Sequence, residues 1–294
     1  MKLRVLILGY GEMGHALEFL LADKHDVHIW NRSQTSSLEE ESGKAHVILF
    51  CLPVNAHLEV LQKMALFLTK ASLCLSIAKG LDESGKTAAQ ILSSVLSDQH
   101  RYGVIYGPMI SEEIVRSHYA FADVALSDGR DFSTLQNLFV DSKLVCRAIT
   151  DMTGCSWSVI LKNVYAIMFG IADGLQLGDN MRGYLAVTAL SEISAILTKL
   201  GAEQLTPYGY AGLGDLITTA TSESSHHHEL GRKLATGQYT ELTGEGVHTL
   251  AMIEKFHLFE HQAYPLFSLI RDIISKPENL KTLVDVYLDK LQVW

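Results

Sequence analysis

Apolar positions in the first half of the chain come in short solid runs, separated by stretches with helical spacing. Residues 3–8 form one such run, broken only by Arg4, and Ala16, Leu17, Leu20 and Leu21 follow at helical intervals. Residues 27–30 and the continuously apolar residues 46–51 repeat the strand-like pattern. Pro53 ends the latter, and Leu58, Leu61, Ala65 and Leu68 mark a helix after it. Further strand-like runs lie at 72–77, 104–106, 122–126 and 144–146. Solid runs suit strands buried on both faces. Their alternation with helices predicts an α/β, Rossmann-like, doubly wound and mostly parallel sheet, with a ligand site beyond the carboxyl ends of the strands.

The pattern changes at about residue 151. Long helical stretches at 158–175 and 184–200 are followed by shorter ones to the C-terminus, which predicts an all-helical second domain. The boundaries expected are 1–150 for the dinucleotide-binding domain and 151–294 for the substrate and catalytic domain, sharing a helix and enclosing a cleft. The first of these helices is expected to continue through Gly170, Asp173-Gly174 and Gly178-Asp179-Asn180. Glycines at this density weaken a helix and point to the close approach of another backbone or a ligand.

Composition narrows the partners. A chain of 294 residues, 48% hydrophobic with a net charge of −9, has neither a basic run nor a basic stripe, so nucleic acid and anionic lipid surfaces are not expected partners. Cys51, Cys74, Cys146 and Cys155 show no CxxC pairing and read as reduced thiols of a cytoplasmic protein. The opening apolar run is too short for a signal peptide, and no later stretch is read as long enough to span a bilayer.

Candidate chemistry then falls at a few places. Gly9-Tyr10-Gly11-Glu12-Met13-Gly14 joins a strand to a helix, the context in which such a loop binds a dinucleotide. One glycine turns the chain, one admits the pyrophosphate, and one lets helix and strand pack closely. Lys79 ends a strand in Ser76-Ile77-Ala78-Lys79-Gly80, where a cation would sit either at the cofactor edge or simply on the surface. Lys162 interrupts an almost wholly apolar helix, and an unpaired buried ammonium is costly, so a partner or a task is expected, with a snorkelling structural lysine as the alternative. Asp215, after Gly209-Tyr210-Ala211-Gly212-Leu213-Gly214, is either an N-cap or the counter-charge for Lys162. His226-His227-His228 reads by default as a polar surface turn, with lining of the cleft by one of the three as the alternative; adjacent histidines diverge, and no cysteine or carboxylate nearby completes a metal-ligand spacing. No metal site is expected.

With these residues in view, the chain resembles the NAD(P)-dependent glycerol-3-phosphate dehydrogenase family over nearly its full length. The resemblance rests on the glycine loop; Ser76 to Gly80; Tyr106-Gly107-Pro108 through Glu113; Leu161-Lys162-Asn163-Val164 with Asp173-Gly174-Leu175; Gly212 to Leu216 with Thr218-Thr219; and Glu245-Gly246-Val247-His248-Thr249. It implies reduction of dihydroxyacetone phosphate by NAD(P)H, feeding glycerolipid synthesis. Lys162 would act as proton donor oriented by Asp215, and Lys79, Asn163 and Thr219 would fix the substrate. Ser225, His226 and His227 would occupy the segment facing the substrate phosphate. Gly9, Gly11, Glu12, Met13, Gly14, Asn31, Arg32, Pro53, Lys79 and Glu245 would face the cofactor. A homodimer is a possible assembly for such an enzyme.

Two departures from the family pattern bear on specificity. Ser225-His226-His227 stands where the family carries Ser-Arg-Asn, and Thr188 stands where bacterial members carry arginine; an imidazole lacks the planar fork with which a guanidinium grips phosphate. This favours an alternative reading in which the same fold and cofactor serve another small hydroxy or keto compound. A non-catalytic dinucleotide sensor is a further alternative, opposed by the joint presence of Lys79, Lys162, Asn163 and Asp215. At the adenosine end, residues 31–44 leave room for one short helix or loop but not for a helix and a further strand. Asn31-Arg32-Ser33 offers no acid for a ribose 2′-hydroxyl, while Arg32 and Ser33 suit a 2′-phosphate, which favours NADP over NAD, or use of both.

Overall fold

The computed structural model describes residues 2–33, 37–96, 100–222, 225–240 and 242–291. Among them the solid apolar runs form one sheet of seven strands: β1 (Arg4–Leu8), β2 (Asp26–Trp30), β3 (Val47–Phe50), β4 (Leu73–Ser76), β5 (Arg101–Tyr106), β6 (Ala120–Leu126) and β7 (Leu144–Ile149). Their order is β2-β1-β3-β4-β5-β6-β7, and every neighbouring pair is parallel except β5 with β6. The connections carry α1 (Glu12–Leu21), α2 (Leu38–Lys44), α3 (His57–Met64), α4 (Ala88–Leu96), α5 (Ser111–Val115) and α6 (Phe132–Phe139).

Alternate residues of each strand serve opposite faces. Val5, Ile7, Val47, Leu49, Leu73 and Leu75 share a core with Leu17 and Leu21 of α1 and Leu135 and Leu138 of α6. Their neighbours Leu6, Leu8, Ile48, Phe50 and Cys74 share a second core with α2, α3 and α4. Both faces are therefore covered, which is why these strands read as solid rather than alternating. β2 is an edge strand, and the connection from it to β3 holds α2, with residues 34–36 outside the described set.

One helix differs in register from its sequence reading. In α3 the buried face is His57, Val60, Leu61 and Met64, whereas Leu58 points outward, and the helix gives way to a 3-10 turn at Ala65–Phe67.

The chain divides into two compact units, Met1–Ser156 and Trp157–Trp294, a division falling inside α7 (Met152–Gly174). The second unit continues with α8 (Asp179–Lys199), α9 (Asp215–Thr221), α10 (His226–Ala235), α11 (Glu245–Phe256), α12 (Pro265–Ser275) and α13 (Leu280–Leu291). Two expectations are corrected here. The helix does not run on through Gly178: it stops at Gly174, because the backbone turns left-handed at Gln176 and again at Gly178, and α8 begins afresh at Asp179. Further, α7 does meet the length and apolarity of a membrane-crossing helix, but its apolar window is wholly buried within the protein.

Its glycines explain that burial. A Cβ on Gly170 would lie 1.9 Å from the His228 carbonyl oxygen, and one on Gly231 would lie 2.1 Å from that of Ile167, so α7 and α10 meet backbone to backbone. The close approach inferred from glycine density is thus made by another helix. Glu192 of α8 supplies a second tie. Its buried carboxylate accepts the N–H groups of Leu266 (2.8 Å) and Phe267 (2.9 Å) at the start of α12 and the Tyr165 hydroxyl of α7 (2.9 Å). Burial raises its carboxyl above the usual range, with the two N–H groups and Tyr165 opposing the rise.

Gly231→Ala should destabilise the fold by about 1–3 kcal/mol, because the two helices must separate. Gly183→Ala, at a position in α8 where a Cβ meets nothing within 4 Å, should stabilise it by up to about 1 kcal/mol. Thermal unfolding of both variants checks the pair; equal effects would contradict the packing.

Candidate functional site

The glycine loop sits between β1 and α1. Gly9 has φ +94°, and a Cβ there would lie 2.6 Å from the Cys51 carbonyl oxygen at the end of β3; a Cβ on Gly14 would meet the Gly9 oxygen at 2.3 Å. The turn and the close packing both require glycine. Gly11, the N-cap of α1, is different, since a Cβ there would have open space around it, as a position approached by a pyrophosphate needs. Glu12 is the acidic residue of the first turn, and Met13 packs partly into the core beneath it. The loop lies at the point where β1 has β2 on one side and β3 on the other, the crevice that binds ligands in sheets of this kind.

Beyond the carboxyl ends of β2 and β3, a cavity of about 410 Å³ is lined by Trp30, Asn31, Arg32, Leu52, Pro53, Asn55, Ala56 and Val60. Asn31, Arg32 and Pro53, expected at the adenosine end, therefore come together. The Asn31 side chain accepts from the Ser33 N–H (3.0 Å) and hydroxyl (2.6 Å), shaping the turn, while exposed Arg32 lies 3.6 Å from Glu59. Lys79, just past β4, donates to the Gly107 carbonyl at 3.1 Å. It is only partly exposed and is tied to the end of β5, unlike a loose surface lysine.

In the second unit, Lys162 is 4% exposed and lies among fully buried Leu161, Val164 and Tyr165 on α7. Asp215, 3% exposed, brings its carboxylate to 3.0 Å from the Lys162 ammonium. Thr219 follows Asp215 by one helical turn, so both present the same face of α9. The Thr219 hydroxyl accepts a short hydrogen bond from Lys162. The N-cap of α9 is Gly214, not Asp215, and the Asp215 carboxylate is paired with Lys162. Asn163, buried beside Lys162, has its carbonyl 2.7 Å from where a Cβ on Gly246 would fall, so the start of α11 packs directly on this part of α7.

The three histidines are not a surface turn. They open α10, whose N-cap Ser225 accepts the His228 N–H at 3.3 Å, and helical spacing sends the rings apart. His228 is buried, its Nε2 2.8 Å from Asp173, whose other oxygen accepts from Arg182 Nε at 2.8 Å. Burial raises the Asp173 carboxyl, but the bonds from Arg182 and His228 outweigh it and hold the group below the usual range. His226 and His227 instead line a cavity of about 560 Å³ with Lys233, Glu229, Thr243 and Glu245. Glu245 is the first residue of α11, and crowding by protein raises its carboxyl, against the pull of His248. Thr188 is half-buried on α8. Among the described residues no cluster of metal-ligating side chains occurs.

Sequence reasoning named Lys162, Asp215 and Thr219, which the fold brings together, and it placed Glu245 with His226 in order but not in one cavity. It missed Lys233 of that cavity and buried His57 of α3. Lys233 carries a signal in retrospect, lying two helical turns from His226 on the same helix.

Residues 33–131 match the model of the NAD-dependent glycerol-3-phosphate dehydrogenase N-terminus, and residues 151–285 match that of its C-terminus. A glycerol-3-phosphate dehydrogenase [NAD(P)+] of Gloeobacter violaceus is 32% identical over 263 residues, covering 86% of this chain and 86% of its own length. One from Synechocystis is 31% identical over 297 residues, covering 96% and 93% respectively. In fold, the crystal structure of glycerol-3-phosphate dehydrogenase from Coxiella burnetii superposes with a TM-score of 0.84 at 23% identity, over 98% of this chain and 99% of that one. A 2-dehydropantoate 2-reductase from Geobacter metallireducens gives 0.56 at 15% identity, over 93% and 99%. The chain belongs to the NAD(P)-dependent glycerol-3-phosphate dehydrogenase family.

Proposed function

We propose that the protein interconverts dihydroxyacetone phosphate and glycerol 3-phosphate, with Lys162 as the proton donor and acceptor. The observation that carries this reading is the buried Lys162–Asp215 pair, 3.0 Å apart and bonded to Thr219, in a chain of this family. When bound, the reduced nicotinamide supplies the hydride for the carbonyl carbon. Lys162 delivers a proton to the carbonyl oxygen and takes it back in the reverse direction. Asp215 compensates the ammonium charge in its buried setting, and both Asp215 and Thr219 fix the Nζ position, so little reorganisation is needed as charge develops.

Asn163 and Lys79 hold the substrate's oxygen groups in this reading. His226 and His227, with Lys233 in the same cavity, receive the phosphate in place of guanidinium. Gly9, Gly11, Glu12, Met13, Gly14, Asn31, Arg32 and Pro53 bind the dinucleotide, with Glu245 assigned to its nicotinamide end. NADP is the favoured cofactor, because exposed Arg32 at the rim of the adenosine cavity is free to reach a 2′-phosphate once it leaves the loose contact with Glu59. Cys51, Cys74, Cys146 and Cys155 are free thiols, which supports a cytoplasmic enzyme feeding glycerolipid synthesis.

Lys162→Ala should lower kcat by about 100- to 10,000-fold in the assay of cofactor oxidation with dihydroxyacetone phosphate. Asp215→Asn should lower it as well, with both proteins still folded and binding cofactor. Turnover unaffected by either change would refute the assignment. Arg32→Ala should weaken NADPH about tenfold and NADH little, as measured by fluorescence titration. Tighter binding of NADH than NADPH by the unmodified protein would overturn the cofactor preference. His226→Arg should lower KM for dihydroxyacetone phosphate by about tenfold. A KM that rises instead would show that the phosphate lies elsewhere.

A further inference from the structure

The carboxyl ends of β3, β4 and β5 are stitched together by a run of directed hydrogen bonds that begins at a fully buried histidine. His57 Nδ1 lies 3.1 Å from the Pro53 carbonyl, which can only accept, so Nδ1 carries the ring proton. Nε2, 2.9 Å from the Ser76 hydroxyl, therefore accepts the serine proton. The same Ser76 oxygen accepts the Ala78 N–H at 3.1 Å. From the other side the Tyr106 hydroxyl donates to the Ala78 carbonyl at 2.8 Å, gripping the peptide that joins Ala78 to Lys79. Lys79 Nζ then donates to the carbonyl of Gly107, the residue after Tyr106.

We propose that His57 is a positioning residue, which fixes Lys79 at the sheet's carboxyl edge by ordering Ser76 and, through it, the Ala78–Lys79 backbone. The proposal rests on the reading of Lys79 as a substrate-holding group. Packing alone does not call for a histidine here. His57 lies against Phe50, ring centroids 5.0 Å apart, in a setting that an apolar ring would fill without a desolvation cost. What the imidazole adds is one donor and one acceptor aimed at two strand ends. Burial lowers its pKa to about 4, with the Pro53 carbonyl opposing, so near neutrality the ring is uncharged and keeps this single donor–acceptor polarity. Ser76 is likewise fully buried, so water does not replace the bond it makes to His57.

The test is a comparison of kcat, KM and thermal unfolding for His57→Phe and Ser76→Ala, each made in the unmodified protein and in a Lys79→Ala background. In the unmodified protein, kcat should fall and KM for the ketone should rise, together lowering kcat/KM about 10- to 100-fold. In the Lys79→Ala background the same substitutions should add no further loss of kcat/KM, the non-additivity expected of residues acting through one another. An equal loss in both backgrounds, or folded variants with undiminished turnover, overturns the proposal. Undiminished turnover in Lys79→Ala alone overturns the role of Lys79 itself, and the proposal with it. If His57→Phe does not fold, Ser76→Ala reads the same comparison.

Discussion

An ammonium and a carboxylate sit 3.0 Å apart at the face of α7, on side chains of which no more than a twentieth is exposed. Taking either charge out of water alone costs several kcal/mol, and their mutual attraction repays this only when the geometry is good and further hydrogen bonds are made. Much of the second unit can be understood as meeting those terms. Thr219 supplies the extra bond, and it does so because it stands one helical turn after Asp215. The glycines of α7 and α10 let two backbones touch further along the same helix, and Gly246 lets α11 pack on Asn163. Such a pair is a poor device for stability, since apolar residues of similar volume would pack as well at lower desolvation cost. Its presence in an otherwise apolar helix is what the proton transfer proposed for Lys162 calls for.

The first unit solves a different problem, the binding of an anion by backbone. The parallel strands β1 to β5 place their carboxyl ends at one edge. Gly11 leaves open space where a phosphate must come close to the start of α1, and Lys79 is held by β5 rather than left to solvent. The Lys79 ammonium donates to the Gly107 carbonyl, and in the proposed arrangement the chain from His57 sets its position before any substrate arrives.

What was legible in the sequence divides along the same line. The sheet could be read because strands buried on both faces are uniformly apolar, and the glycine loop because its three constraints lie within six residues. Lys162 could be read because a charge in an apolar helix is a local anomaly. Strand order could not be read, for the edge position of β2 depends on pairing between distant segments. The break after Gly174 was hidden because Gln176, a residue with no left-handed signature, adopts φ 58°. The stripe Leu58, Leu61, Ala65 and Leu68 gave α3 the wrong face, since hydrophobicity concealed that His57 is buried through its hydrogen bonds while Leu58 is exposed. His228 was misjudged for the same reason: its burial depends on Asp173, 55 positions away.

Replacing both members of the central pair by apolar residues tests whether it exists for chemistry or for the fold. In the Lys162→Met/Asp215→Leu protein, denaturant unfolding and turnover with dihydroxyacetone phosphate would be measured together. The account predicts a protein at least as stable as the parent, by as much as about 1–4 kcal/mol, that has lost turnover. A double variant clearly less stable than the parent, or one that still turns over, would contradict it.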